Sequence, residues 1–196
     1  MNARTTPTTR LAALGAMLGG AFLIAGGAIH LTSGDQVRTG ETVETAIAHV
    51  MLATLTLALI SLAPAVLELS RYARTRKPAY LAVAGMAMVA VATTVSNIIG
   101  EDRLFFFVTA PAGNVIWLVG TIGLALSLHR AGIVSKRLAI ALPFVQVVSL
   151  PLSAFGGAIL GGAFWIAVGY LISVDGLGRD EGRPRETAGL TTPTAA

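Results

Sequence analysis

Apolar runs as long as a lipid bilayer is thick are the feature that most constrains the fold of this chain. The first run, residues 11–31, holds 21 residues and no acidic residue, lysine or arginine. As an α-helix it reaches about 31 Å, enough to cross the hydrocarbon core of a bilayer. Because every backbone polar group in hydrocarbon must be satisfied within the protein, the run predicts a membrane-spanning helix.

The later apolar runs predict five further spans, separated by polar or basic loops. The predicted spans are 11–31, 43–67, 80–100, 112–129, 138–153 and 157–174. The last two come from one apolar stretch, residues 138–174, which the turn-forming sequence PLSAFGG divides. Residues 1–10 and 175–196 are polar and predict flexible tails. The predicted fold class is all-α, a polytopic integral membrane bundle of six transmembrane helices.

The basic residues predict the orientation of this bundle. With six spans and a cytoplasmic N-terminus, 12 of the 14 lysines and arginines fall on the cytoplasmic side, and only Arg38 and Arg103 lie outside. The positive-inside rule therefore predicts a multi-pass plasma-membrane protein with both termini in the cytoplasm. Two alternatives stay open. The first run can be a cleaved signal peptide, although such apolar segments are usually shorter. Residues 138–174 can form one re-entrant span, which puts the Arg-bearing tail outside.

Composition excludes several classes of function. Charged residues make up 12% of the chain, against about 25% in soluble domains. The chain has no cysteine, which excludes disulfides, thiolate metal sites and iron–sulfur clusters. No nucleic-acid partner is predicted, because the basic residues follow the sides of the membrane and form no stripe.

The outer side of the predicted bundle gathers most of the chemistry-bearing side chains. His30 lies near the outer end of the first span, and His49 lies about one and a half turns inside the second. Consecutive antiparallel spans are expected to be neighbours. The candidate binding residues on this side are His30, Glu44, His49, Asn97, Glu101, Asp102 and Asn114.

Several interpretations of this cluster stay open. The favoured one is a polar cap, in which the histidines bond carboxylates and helix-end carbonyls. The second interpretation is a ligand or proton pathway in which His49 titrates. A haem or a divalent metal ligated by His30 and His49 is a minority alternative, because no fixed motif such as H-E-x-x-H is present. No cofactor is predicted. No catalytic residue is predicted either, since acid–base chemistry on a lipid-like substrate needs a carboxylate deep in the bundle and none occurs there.

Small residues predict where helices approach closely. Gly15 and Gly19 in the first span, and Gly157 and Gly161 in the sixth, form G-x-x-x-G pairs. Such pairs let helix backbones pack in lipid. Packing within the chain is the favoured interpretation, and a face for a second copy or for another membrane protein is the alternative. Near the inner boundary, Glu68 is expected to pair with Arg71 three residues later.

The order of these features resembles the small actinobacterial-type multispanning membrane proteins that form a family of unknown function. The resemblance rests on His30 closing the first helix, on AIAHVML in the second, and on LVGTIGLALSLHRAGIVSKRLAIALP joining the fourth and fifth. It covers roughly residues 11–174. Leu31 and Ser135 depart from it, since prolines are common at those two places in the family. The resemblance implies a multispanning helical fold and no activity.

The function predicted from the sequence is that of an integral membrane protein in the lipid bilayer. It is expected to be a non-enzymatic binding, transport-accessory or structural component with a polar outer mouth. The alternatives are a small transporter or sensor that uses His49, and a haem or metal protein ligated by His30 and His49.

Overall fold

The computed structural model describes residues 6–33, 45–100, 104–149 and 156–174. These ranges are helical apart from short turns and contain no strand, so the predicted all-α class is confirmed. Six helices occur in chain order: α1 (Pro7–Ser33), α2 (Ala46–Tyr72), α3 (Lys77–Ile99), α4 (Leu104–Arg130), α5 (Lys136–Ser149) and α6 (Gly157–Ser173).

Helix length separates the six helices into two groups. Within the described residues, α1 to α4 are long and apolar enough to cross a membrane. Helix α6 is apolar but has 17 residues, and α5 has 14. The helical, apolar architecture fits an integral membrane protein.

The fourth helix is longer than the sequence predicts. It begins at Leu104, whereas the predicted span begins at residue 112, and it runs through Pro111. A proline inside a helix removes one backbone donor. In an apolar chain the helix continues past it, since any other backbone conformation leaves more groups without partners.

The break between α5 and α6 lies near its predicted place. Helix α5 ends at Ser149, and residues 150–155 lie outside the described residues, Pro151 and Ser153 among them. Gly156, directly before α6, has a φ of +84°, a conformation that costs glycine little because it has no Cβ.

The helices close into a ring. Each helix packs against the next in sequence, and α6 returns to pack against α1. Neighbours run antiparallel: Gly15 lies over Ser61 in α2, and Gly26, further along α1, lies over Thr54, earlier in α2. The last turns of α1, α3 and α5 therefore meet the first turns of α2, α4 and α6 at one end, which we call the histidine end.

The opposite end, which we call the basic end, carries all the lysines and arginines of the described ranges. They are Arg10, Arg71, Arg74, Arg76, Lys77, Arg130, Lys136 and Arg137. Glu68 is buried there. Arg71 donates to Glu68 Oε2 at 3.0 Å, and Thr9 Oγ1 donates to Glu68 Oε1 at 2.9 Å. The predicted Glu68–Arg71 pair is confirmed, and Thr9 also ties the start of α1 to the end of α2.

The interior of the ring is built largely from small residues. On α1, Ala12 and Ala16 are buried, while Leu11, Leu14 and Leu18 are exposed. A Cβ added to Gly85 of α3 would lie 2.5 Å from the carbonyl oxygen of Gly113 in α4, so these helices touch backbone to backbone. Helix α5 packs less extensively on its two neighbours than the other helices do, and this looser packing leaves a cavity beside it.

Candidate functional site

The structure brings together two of the predicted site residues, His49 and Asn97. His49 Nδ1 of α2 lies 2.6 Å from Asn97 Oδ1 of α3. An amide oxygen only accepts, so the ring donates through Nδ1–H. Glu44, Glu101 and Asp102, which were predicted to join this cluster, lie outside the described residues.

His30 faces a different part of the molecule from His49. It lines a cavity between α1, α2, α4, α5 and α6, and His49 is not among the residues that line it. The imidazole of His49 is directed to the opposite side of α2, toward α3. The two histidines therefore do not face one shared site.

Asn114 is held locally on α4. Its side-chain amide nitrogen donates to the carbonyl oxygen of Ala110 at 2.9 Å. Its Oδ1 is buried and has no hydrogen-bond partner among the described residues. Asn114 does not line the cavity.

The G-x-x-x-G residues face other helices of the same chain. Gly15 lies against the backbone of Ser61 in α2, and Gly19 against Ala58 and Leu62. Gly157 is buried at the start of α6. Gly161 lies under the side chain of Ser149 in α5, where an added Cβ would come 2.8 Å from Oγ. Close packing within the chain thus accounts for Gly15, Gly19 and Gly161.

The cavity at the histidine end has a volume of about 280 Å³. This value is just below the range of about 300–1,000 Å³ for small-molecule sites. Most of the lining is apolar. It comprises Phe22, Leu23, Gly26, Gly27, His30, Met51, Leu52, Thr54, Leu55, Trp117, Thr121, Leu142, Val145, Gln146, Ser149, Ala158, Gly161 and Trp165.

Two polar side chains of α5 form the distinctive part of the lining. Gln146 is only 6% exposed, and its amide nitrogen reaches the backbone oxygen of Asn114 at 3.4 Å. Gln146 Oε1 and Ser149 Oγ are both buried and lack hydrogen-bond partners within the described ranges. The two residues are three positions apart, so they lie on one face of the helix.

The other hydroxyls of the lining are already engaged. Thr54 Oγ1 donates to the carbonyl oxygen of Met51, and Thr121 Oγ1 donates to that of Trp117, each at 2.8 Å. Among the hydroxyl and amide groups of the described lining, those without a partner are therefore on Gln146 and Ser149. Buried polar groups in proteins nearly always have a partner, so these two atoms are the unsatisfied hydrogen-bonding groups of the lining within the described residues.

Charge is nearly absent from the cavity. Its described lining residues include no aspartate, glutamate, lysine or arginine, and His30 is the one ionisable side chain among them. Within the described residues, no group of three or more His, Cys, Asp or Glu side chains is placed to hold a metal ion. The arrangement suits an uncharged molecule.

Both tryptophans of the protein line the cavity. Trp117 comes from α4 and Trp165 from α6, and the chain has no other tryptophan. Trp165 packs edge-on against Phe164, with the ring centroids 6.0 Å apart. The indole rings supply large apolar surfaces from two different helices.

Sequence reasoning missed most of this site. Gln146 and Ser149 were not grouped into a candidate site. The spacing of these two polar residues within the apolar stretch 138–174 is the signal that points to them. The tryptophans gave no such signal, because aromatic residues in apolar helices usually pack in the core or face lipid.

Comparison with known proteins yields no relative. No family model matches the chain, and no curated protein and no solved structure matches it. The resemblance to the actinobacterial-type multispanning family stays a prediction.

Proposed function

We propose that this chain is a multi-pass protein of the plasma membrane that binds a small apolar molecule in the cavity at its histidine end. The observation that carries the proposal is the cavity itself. Five helices line it, its surface is largely apolar, and the buried polar atoms of its described lining that lack a partner lie on one helix, α5. Sites for small molecules between the helices of bundles have this character.

The membrane arrangement that we propose has six spans and both termini in the cytoplasm. Its support is the gathering of every described lysine and arginine at the basic end, which the positive-inside rule assigns to the cytoplasm. Helix α6, with 17 residues, is at the lower limit of length for a span. Helix α5 is shorter still, so it requires local thinning of the bilayer or shielding by its neighbours. The cavity then lies in the outer half of the membrane.

The geometry favours binding over the alternatives that use both histidines. A metal or haem ligated by His30 and His49 needs the two rings to converge on one point. Here one ring lines the cavity, and the other donates to Asn97 on the far side of α2. The His49–Asn97 bond is of the kind that joins helices inside membranes, so we assign it to packing.

Fluorescence quenching tests the binding proposal, because both tryptophans line the cavity. We expect bromodecane, a heavy-atom quencher, to quench the fluorescence of the purified protein in nanodiscs in a saturable manner. Val145→Phe extends a phenyl ring into the cavity from α5 and is expected to remove the saturable component.

Val147→Phe is the matched control. Val147 is on the same helix but is 46% exposed and does not line the cavity. It is expected to leave the quenching curve unchanged. Quenching that is linear in bromodecane, or that is the same in both variants, would show partitioning into lipid and contradict the proposal.

A further inference from the structure

We infer that the ligand of the cavity is a neutral amphipathic molecule whose polar end carries a hydroxyl group, and that Gln146 and Ser149 bind this end. The inference rests on the proposed function and names the class of molecule that the site selects. It depends on the two buried polar atoms of α5 that have no partner among the described residues, Gln146 Oε1 and Ser149 Oγ.

The hydrogen-bonding chemistry of the two atoms defines the polar end. An amide oxygen accepts and cannot donate, whereas a serine hydroxyl does both. A ligand hydroxyl matches this pair, since its O–H donates to Gln146 Oε1 while its oxygen accepts from Ser149. A pure hydrocarbon would leave both atoms unsatisfied, and a buried polar group without a partner costs about 1–3 kcal/mol.

Each of the two side chains lies against a residue of a neighbouring helix. The amide nitrogen of Gln146 is directed at the Asn114 backbone oxygen, which leaves Oε1 as the free end of the amide. Ser149 Oγ lies over Gly161, where any Cβ would come 2.8 Å from it. Because residue 161 is a glycine, no side chain displaces the Ser149 hydroxyl from this position.

Charge selects against an ionised ligand. Among the described residues that line the cavity there is no lysine or arginine, and His30 is the one ionisable side chain. Burying a carboxylate or an ammonium without a charged partner is costly. The polar end must therefore be neutral, and the remainder of the molecule must match the leucine, phenylalanine and tryptophan side chains around it.

A set of three probes with one tail tests this inference. Bromodecanol, its methyl ether and bromodecanoic acid each quench tryptophan fluorescence through the same bromine atom. The ether keeps the oxygen but cannot donate. We expect the alcohol to bind about fivefold more tightly than the ether, the value of one hydrogen bond, and the acid to bind more weakly than the alcohol at neutral pH.

Variants of α5 identify the residues responsible. Gln146→Leu is expected to abolish the preference for alcohol over ether while the ether itself still binds. Ser149→Ala, a smaller change, is expected to reduce the preference. It provides a second test if Gln146→Leu does not fold. Asn97→Leu is the control, because it removes an amide at the same end that does not line the cavity. It is expected to keep the preference.

The outcomes separate this inference from the proposed function. Saturable quenching by alcohol and ether with equal affinity would overturn the inference and leave the binding proposal standing, with buried water as the partner of both atoms. A preference that survives in Gln146→Leu and Ser149→Ala, or tighter binding of the acid, would also overturn it. Absence of saturable quenching by every probe would overturn both.

Discussion

At the scale of single residues, the hydrogen bond between His49 and Asn97 accounts for a histidine inside the apolar helix α2. The bond is 2.6 Å long and joins α2 to α3 near the histidine end. Its neighbours on the same two helices are hydroxyls, with Thr56 Oγ1 2.8 Å from Thr93 Oγ1. We interpret the polar residues along this seam as bonds between helices.

A double-mutant cycle tests this interpretation. His49→Ala and Asn97→Ala are each expected to lower the free energy of unfolding in detergent. Their effects should be coupled by about 1 kcal/mol, because either change removes the same bond. His49→Ala combined with Asn114→Ala is the control pair, since Asn114 bonds its own helix. Strict additivity for His49 and Asn97 would show that the bond contributes nothing.

The sequence predicted part of the residue-scale picture. It placed His49 and Asn97 at the same end, because both follow from the alternation of spans. It did not predict that they bond each other, since Glu44, Glu101 and Asp102 were predicted at the same end and were equally possible partners for His49. It also grouped His30 with His49, although the direction of a side chain around its helix decides which neighbour it meets.

At the scale of helices, close contact of backbones holds the bundle together. Gly85 of α3 and Gly113 and Gly120 of α4 permit this contact, and any side chain at these positions meets the backbone of the other helix. The same rule joins α1 to α6 through Gly20 and Gly162. Van der Waals packing is the main force available to helices in lipid.

Gly85→Leu tests the contribution of this contact. The added side chain must push α3 and α4 apart, so we expect a loss of about 3 kcal/mol or failure to fold. Ala84→Leu is the matched control, because Ala84 is the preceding residue and is exposed on the outer face of α3. It is expected to change stability by about 0.5 kcal/mol or less. Equal melting temperatures of the two variants would contradict the packing.

Helix positions could be predicted, but the arrangement around the ring could not. Runs of apolar residues predict helices because their length is visible in the sequence. Which face of a helix points inward is hidden, since the exposed Leu14 and Leu18 are as apolar as a buried leucine such as Leu62. The cavity depends on how α1 and α2 pack relative to α4, α5 and α6, and this packing joins helices far apart in sequence.

At the scale of the whole molecule, the separation of charge from polar neutral groups relates the fold to a membrane. Among the described residues, the basic end holds the lysines and arginines, whereas the histidine end holds amides, hydroxyls and the imidazoles of His30 and His49. This separation predicts that reporter fusions after Lys77 and Arg137, and at the C-terminus, report the cytoplasm. Fusions at Asp35 and Asp102 are expected to report the outside.

A C-terminus outside the cell would contradict the proposed six spans. It would indicate that residues 138–174 cross the membrane an odd number of times, with α5 or α6 re-entrant. The binding proposal would survive that result, because the cavity depends on the contacts among α1, α2, α4, α5 and α6 rather than on their depth in the membrane.

The most direct measurement of the central claim uses proteins with a single tryptophan. Trp117→Phe leaves the indole of α6 as the reporter, and Trp165→Phe leaves that of α4. If one cavity binds the probe, bromodecanol must quench both proteins with the same half-saturating concentration, and Val145→Phe must remove the saturable quenching from both. Saturable quenching of one tryptophan alone, or quenching that Val145→Phe leaves intact in both, would contradict a ligand site shared by α4, α5 and α6.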